Sequence, residues 1–211
     1  MMPKFYPMMM NLKGRTCLVV GGGDVAARKI EMLVSCGAKV VAVAPEIDES
    51  LAPLINGGDI KHLKEEFRPE HADNAVLAIA ATDNETVNRA VYDCATKRGI
   101  PVNVVDVPHL CTFIVPSIVE SGDLLIAIST SGKSPAFSKR IRKELQKKFG
   151  PEYGEMLEIM GKVRDLYKDI EPDLNKRMKT LSDIANSNLL DRLRAGEHPD
   201  PEEVIEQAIT E

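Results

Sequence analysis

One stretch near the N-terminus constrains the fold more than any other part of the chain. The apolar run Thr16–Val20 leads directly into Gly21-Gly22-Gly23-Asp24-Val25-Ala26, and a helical pattern follows. Gly21, Gly23 and Ala26 occupy the three small positions of the G-x-G-x-x-G/A turn of dinucleotide-binding domains. The first glycine permits the tight turn, the second leaves room for a pyrophosphate, and the third residue lets helix and strand pack closely. A glycine-rich turn without a ligand is the alternative, and the strand before it and the helix after it favour the nucleotide.

Strand-like and helical segments alternate through the first half of the chain. Val25, Ala26, Ile30, Leu33 and Val34 recur at helical spacing after the glycines, and Gly37 is a natural end for that helix. Apolar runs bounded by turn residues predict further strands at Lys39–Ala44, Ile60–Leu63, Ala75–Ala81 and Val102–Val105, with a helix over Glu85–Arg98. This alternation predicts an α/β fold with a Rossmann-like, doubly wound parallel sheet.

Polar side chains follow three of the predicted strands at their carboxyl ends. In this architecture an acid about 20 residues past the glycines binds the adenosine ribose hydroxyls. Glu46 is the best-placed candidate and Asp48 the second; an acid here favours NAD over NADP, because it repels a 2′-phosphate. A solvated loop acid is the alternative for Glu46. Because ligands bind outside the carboxyl ends of such strands, Glu46, Thr82, Asp83 and Asp106 are expected to share one crevice.

The pattern changes after residue 112. Phe113–Glu120 and Leu124–Ser129 are strand-like and separated by a short Gly-containing turn, which predicts a hairpin. A basic helix is predicted from Pro135 to Phe149, and everything from Glu152 onward is helical in pattern. At the other end of the chain, the apolar residues 1–14 are expected to lie on the first strand.

Composition narrows the class of protein. The net charge of −5, from 27 basic and 32 acidic residues, argues against non-specific nucleic-acid binding by the whole surface. Residues 133–150, however, carry seven Lys or Arg and one acid. The four cysteines form no metal-binding or disulfide pattern, and the four histidines have no zinc spacing, so no metal site is expected. Reduced thiols, no apolar signal segment and no run of membrane-spanning length together predict a cytoplasmic protein.

Several motifs together resemble one family. They are Val19-Val20-Gly21-Gly22-Gly23-Asp24-Val25-Ala26-Ala27-Arg28-Lys29, Ala80-Ala81-Thr82-Asp83-Asn84, Asn103-Val104-Val105-Asp106, Thr112-Phe113-Ile114-Val115-Pro116-Ser117 and Ser129-Thr130-Ser131-Gly132-Lys133-Ser134-Pro135. The chain resembles the precorrin-2 dehydrogenase/sirohydrochlorin ferrochelatase family, which also forms the N-terminal half of sirohaem synthase.

The resemblance implies a chain in three parts. These are an NAD-binding domain (1–112), a small strand–helix dimerisation region (113–150) and an all-helical C-terminal domain (151–211). It implies NAD-dependent oxidation of precorrin-2 to sirohydrochlorin by a homodimer. It makes Asp106 catalytic and gives NAD contacts to Asp24, Val25, Pro45 and Glu46. The methyltransferase domain of the fused enzymes is not recognised, so the methylation steps are expected to belong to another protein.

The tetrapyrrole substrate carries many carboxylates, and the basic segment offers partners for them. The substrate-binding candidates are Thr130, Ser131, Lys133, Ser134 and Arg140, and the wider basic cluster adds Lys139, Arg142 and Lys143. A solvated basic helix face is the alternative.

A second activity and a rival function are open. The family includes members that also insert Fe²⁺ as a substrate to give sirohaem, and its motifs do not separate the two kinds. We expect chelatase activity, with Asp106 accepting pyrrole protons and His109 on the same loop either assisting or merely exposed. The rival is a non-catalytic NAD-sensing module, against which the basic helix and the helical tail argue.

Overall fold

A five-stranded parallel sheet forms the centre of the first of two units into which the chain divides, with the boundary between Val115 and Pro116. The structure, a computed structural model, describes residues 4–210. The strands are β1 (Thr16–Val20), β2 (Lys39–Val43), β3 (Ile60–Leu63), β4 (Leu77–Ala80) and β5 (Val102–Val104), in the order β3-β2-β1-β4-β5. The helices of this unit are α1 (Asp24–Ser35), α2 (Ala52–Asn56) and α3 (Glu85–Lys97). The predicted doubly wound parallel sheet is therefore confirmed.

The sheet is buried on both faces, which explains the continuous apolar runs of its strands. In β1, Cys17 and Val19 pack into one core layer together with the apolar face of α1. Leu18 and Val20 point to the opposite face and pack into a second layer against α3. Since β2 and β4 flank β1 on opposite sides, the chain reverses direction across the sheet there, which makes the carboxyl end of β1 the ligand-binding position of this fold.

The N-terminal arm does not lie on the first strand as predicted. Tyr6 and Met8 are 86% and 69% exposed, and Met9 is also exposed, whereas Leu12 is buried in the α1 layer. The Arg15 N–H donates to the Leu12 carbonyl, so the chain makes a turn just before β1. Of the arm residues named here, Leu12 is the one that reaches the core. Residues 1–3 of the predicted arm lie outside the described residues.

The second unit begins with a hairpin and continues with helices. Strands β6 (Ser117–Ser121) and β7 (Leu124–Ile128) pair antiparallel, as the short turn predicts. They are followed by α4 (Pro135–Lys148), α5 (Pro151–Ile170), α6 (Leu174–Ala185), α7 (Leu189–Arg194) and α8 (Pro201–Thr210). Helices α5 to α8 share one apolar core, and the hairpin turn packs on α5 at a contact between two glycines. The three-part division at residues 112 and 150 stays a prediction.

No helix within residues 4–210 is both long enough and apolar enough to cross a membrane.

Candidate functional site

The glycine turn after β1 is built by close backbone packing. Gly21 has a φ of 121°, which favours glycine, and a Cβ there would lie 2.7 Å from the Ala81 carbonyl carbon. A Cβ at Gly22 would overlap the Glu46 carbonyl oxygen. The Gly22 carbonyl also accepts a hydrogen bond from Asp48 N–H, with 2.7 Å between the nitrogen and the oxygen. The turn after β1 and the loop after β2 are thus locked together.

Gly23 is packed differently from its two neighbours. A Cβ there would have nothing within 4 Å, so the space beside it is open. Gly23 caps the N-terminus of α1, and no side chain within residues 4–210 accepts from the first-turn N–H groups of that helix. Asp24, the first helical residue, turns its carboxylate to Arg28 at 2.9 Å. Unpaired N–H groups beside open space are the usual means by which a helix N-terminus binds phosphate.

A cavity of about 730 Å³ opens at this edge of the sheet. Its walls include every residue predicted to bind the cofactor: Gly21, Gly23, Asp24, Val25, Pro45, Glu46, Thr82 and Asp83. Asp48 is not among the wall residues. Its carboxylate accepts from Ser50 N–H at 2.9 Å and caps the short turn Glu49–Leu51, and hydrogen bonding from the Ser50 side chain and from its N–H lowers the pKa of Asp48. Of the two candidate acids, Glu46 is therefore the one that faces the cavity.

Three further wall residues were missed from the sequence: Glu65, Glu66 and Phe67, which follow β3. The rule that polar residues just past parallel strands face a ligand would have indicated the two acids. Glu65 is fixed by two partners, Arg68 at 2.6 Å and the Nε2 of His71 at 3.1 Å. The His71 Nδ1 accepts from Arg68 N–H, so the ring is held in one orientation. Glu46 and Glu66 are thus the two carboxylates of this end of the cavity that have no ion pair among the described residues.

Thr82 contributes to the cavity through a local hydrogen-bond network. Its hydroxyl accepts from Asn84 N–H at 3.0 Å and lies 3.2 Å from the Asn88 amide oxygen. The Asn88 amide in turn donates to the Thr82 carbonyl at 2.8 Å, and Asn88 is buried. This network fixes the turn between β4 and α3.

Asp106 follows β5 at the edge of the sheet and does not line the cavity. Of the residues expected to share one crevice, Glu46, Thr82 and Asp83 line this cavity, whereas Asp106 follows β5, one strand beyond β4. Asp106 has a φ of 58°, the left-handed region that few non-glycine residues adopt. Its carboxylate acts electrostatically on Lys29 of α1: burial and the neighbouring Arg28 lower the pKa of Lys29, and Asp106 opposes that shift.

The substrate-binding candidates in the second unit fall into two groups. Thr130 and Ser134 serve the loop itself: the Thr130 hydroxyl donates to the Ser134 carbonyl, and the Ser134 hydroxyl caps α4 by accepting from Phe137 N–H. Lys133 is exposed and free of ion pairs among the described residues, and Arg140 is paired with Glu144 at 2.8 Å. Ser131 is half-buried and, like Asp106, has a left-handed φ, of 51°.

The basic face of α4 is concave where its side chains spread. A shallow cavity of about 350 Å³ is bordered by Ala136, Lys139, Arg140, Lys143, Glu144 and Lys147. Within residues 4–210 no group of three or more His, Cys, Asp or Glu side chains is arranged to hold a metal ion.

This is a dinucleotide-binding protein of the Rossmann class. The class is defined by the parallel sheet, by the glycine turn after its first strand and by the acid after its second strand. Two family models match the chain. One is described as putative NAD(P)-binding and matches residues 8–117; the other is described as sirohaem biosynthesis protein central and matches residues 122–148. The chain belongs to this sirohaem-biosynthesis family, as its motifs indicate.

Curated relatives and one solved structure agree with this family. Siroheme synthase of Methylobacillus flagellatus is 38% identical over 97% of this chain and 44% of its own length. Siroheme synthase of Nitrosomonas europaea is 44% identical over 76% of this chain and 34% of its own length. The chain thus spans less than half of these curated relatives. The structure of SirC, precorrin-2 dehydrogenase, is 25% identical and superposes with a TM-score of 0.80, covering 98% of this chain and 100% of that one.

Proposed function

We propose that this protein oxidises precorrin-2 to sirohydrochlorin with NAD. The observation that carries the proposal is the cavity formed by the glycine turn and Glu46, in a chain whose whole length matches the structure of a precorrin-2 dehydrogenase. The matched relatives are longer than this chain, so the proposal concerns the reaction of this part alone.

The residues around the cavity fit NAD. The open space at Gly23 and the N–H groups of α1 would bind the pyrophosphate, and Glu46 would accept from the ribose hydroxyls. The carboxylate of Glu66, which has no ion pair among the described residues, adds to the repulsion of a 2′-phosphate, which supports NAD over NADP. NAD, when bound, supplies the hydride acceptor of the reaction.

Asp106 is the proposed catalytic base. Oxidation of precorrin-2 removes the equivalent of one hydride and one proton, and an exposed carboxylate at a strand end is suited to accept the proton. Exposed Lys133 and the basic face of α4 are the proposed partners of the substrate carboxylates. Arg140 would have to exchange its partner Glu144 for a substrate carboxylate.

The test is an anaerobic assay of precorrin-2 with NAD, followed by the absorbance of sirohydrochlorin and of NADH. We expect both products in equal amounts from the wild-type protein. Asp106→Asn should lose turnover and retain NAD binding, and Glu46→Gln should weaken NAD more than NADP. NAD binding with no turnover and no affinity for the tetrapyrrole would instead support the rival NAD-sensing module.

Insertion of Fe²⁺ into sirohydrochlorin is proposed as a second activity. The metal ion is a substrate here: it enters the macrocycle as two pyrrole protons leave, and we propose that the exposed carboxylate of Asp106 accepts one of them and water the other. His109, also exposed, lies on the same loop. The assay supplies sirohydrochlorin and Fe²⁺ without NAD and follows sirohaem formation. A rate equal to the protein-free control would leave the protein a dehydrogenase only.

The proposal includes a cytoplasmic homodimer that pairs through residues 113–150. The four cysteines are free, as in proteins of a reducing compartment. The β6–β7 hairpin is a two-stranded sheet with both edges unpaired by other strands of the described chain. Leu125 of β7 and Phe137 of α4 are exposed. The hairpin packs on a helix of its own unit, and its open strand edges are where a strand of a partner would pair. Light scattering that gives a monomer at micromolar concentration would contradict the dimer.

A further inference from the structure

The outer edge of β5 is closed by side chains instead of by another strand. Along β5, alternate residues form the backbone hydrogen bonds to β4. The backbone N–H and C=O groups of the residues between them, Val102 and Val104, point away from β4. Thr112 satisfies both groups of Val102: its hydroxyl accepts from Val102 N–H at 2.8 Å, and its own N–H donates to the Val102 carbonyl at 2.8 Å. The Cys111 thiol bonds to both backbone groups of Val104: its sulfur accepts from the N–H at 3.4 Å, and its S–H donates to the carbonyl at 3.2 Å.

This closure fixes the loop that carries Asp106. The Cys111 thiol lies within hydrogen-bonding distance of two carbonyls, those of Val104 and Val107, which flank the turn around Asp106. The turn is completed by Val107 N–H, which donates to the Val104 carbonyl at 3.2 Å. One sulfur atom therefore holds both ends of the turn.

Asp106 needs such support because its backbone is strained. A left-handed φ of 58° costs a non-glycine residue about 1–2 kcal/mol, although aspartate tolerates it better than most. A turn in this region persists only where its surroundings hold it. Burial raises the pKa of the Cys111 thiol, so the thiol keeps the proton that it donates.

We propose that Cys111 is a positioning residue that sets the orientation of the Asp106 carboxylate through the Val104–Val107 turn. The inference rests on the proposed catalytic role of Asp106. Loss of the thiol lets the turn relax towards ordinary backbone angles, which moves the carboxylate from the proton that it accepts. Cofactor binding should stay unchanged, because among the described residues neither the glycine turn nor Glu46 makes a hydrogen bond to this loop.

The experiment compares Cys111→Ala and Cys111→Ser in the precorrin-2 assay, with Cys36→Ala as the matched control. Cys36 is an exposed cysteine of the same unit, and its removal should leave all constants unchanged. A displacement approaching 1 Å lowers rates by up to about 100-fold, so we expect kcat of Cys111→Ala to fall roughly 10- to 100-fold with KM for NAD unchanged. Serine keeps a donor at the same position, so Cys111→Ser should recover most of the lost rate.

A double variant separates positioning from a general effect on folding. If Cys111 acts through Asp106, adding Cys111→Ala to Asp106→Asn should cause no further loss. A further tenfold loss in the double variant, or a normal kcat for Cys111→Ala, would overturn the inference. If Cys111→Ala does not fold, Cys111→Val replaces it, since valine fills the space and lacks the donor. Full activity of Asp106→Asn would instead refute the proposed role of Asp106 itself, so the two failures are distinguishable.

Discussion

Neighbouring glycines of the turn after β1 should respond in opposite ways to the same substitution. In Gly22→Ala the new methyl group would overlap the Glu46 carbonyl oxygen and lie 2.9 Å from its carbon, so backbone must shift. Overpacking of this kind costs about 1–3 kcal/mol. The shift also weakens the Asp48 N–H bond to the Gly22 carbonyl, worth about 0.5–1.5 kcal/mol. We expect a total loss of about 2–4 kcal/mol in the free energy of unfolding.

Gly23→Ala is the matched control. Its methyl group meets nothing within 4 Å, and the φ of −80° with ψ of −177° suits any residue. The stability should therefore change by no more than about 1 kcal/mol, since alanine is a poorer N-cap than glycine but restricts the unfolded chain, and the two effects oppose each other. NAD affinity should fall strongly, because the methyl group fills the space proposed for the pyrophosphate.

Thermal unfolding and calorimetric titration with NAD separate the two effects. At about 2–4 °C per kcal/mol for a chain of this size, Gly22→Ala should lower Tm by roughly 4–16 °C, and Gly23→Ala by no more than a few degrees. Wild-type NAD affinity in Gly23→Ala would refute the proposed phosphate position. An unchanged Tm in Gly22→Ala would refute the packing argument.

Three further predictions concern other parts of the chain. At neutral pH a maleimide should label exposed Cys36 quickly and buried Cys17 only on unfolding. Burial raises the pKa of Cys17 from 9.0 to about 11, so the stability that its protonated thiol contributes is present below pH 9 and is lost as pH rises through 11. The variant Cys17→Ala should not show that loss of stability at high pH. Gly154→Ala should destabilise the second unit by about 1–3 kcal/mol, because its methyl group would lie 2.9 Å from the backbone of the hairpin turn. Gly161→Ala on the same helix should be neutral or stabilising, since its methyl group would meet nothing within 4 Å. Equal melting temperatures of the two variants would contradict this prediction. Asn84→Ala should cost about 1 kcal/mol by removing the cap that accepts from two N–H groups of α3, and Asn84→Asp should not; chemical denaturation compares the two.

The strand and helix order could be predicted because strands buried on both faces read as continuous apolar runs. Glycines such as Gly37 and Gly99 then mark where helices end, and both have a positive φ. The position of Glu46 in the cavity could also be predicted, since the carboxyl ends of parallel strands meet at one edge. The choice between Glu46 and Asp48 depended on a local cap that the residue types leave open.

Other features depend on contacts that the sequence does not reveal. Gly22 fills an unconstrained position of the motif, yet its packing is as tight as that of Gly21 because the Glu46 loop crosses it. The apolar arm was expected to pack, but composition alone does not distinguish a core segment from an exposed one, and Tyr6 is largely exposed. The left-handed backbone of Asp106 lies beside a strand edge that Cys111 and Thr112, residues later in the chain, close.

The start of helix α1 has a consequence for the lifetime of the protein. Helices α3 and α4 begin with side-chain caps from Asn84 and Ser134, but α1 begins with Gly23 and has none. A phosphate bound there completes the helix, so part of its binding energy appears as resistance to unfolding. At a ligand concentration of 100 times Kd the gain is about 2.7 kcal/mol, a roughly hundredfold drop in the unfolded population. Proteases that attack the unfolded chain would then remove the protein faster in cells depleted of the dinucleotide, which ties its abundance to the supply of its own cofactor.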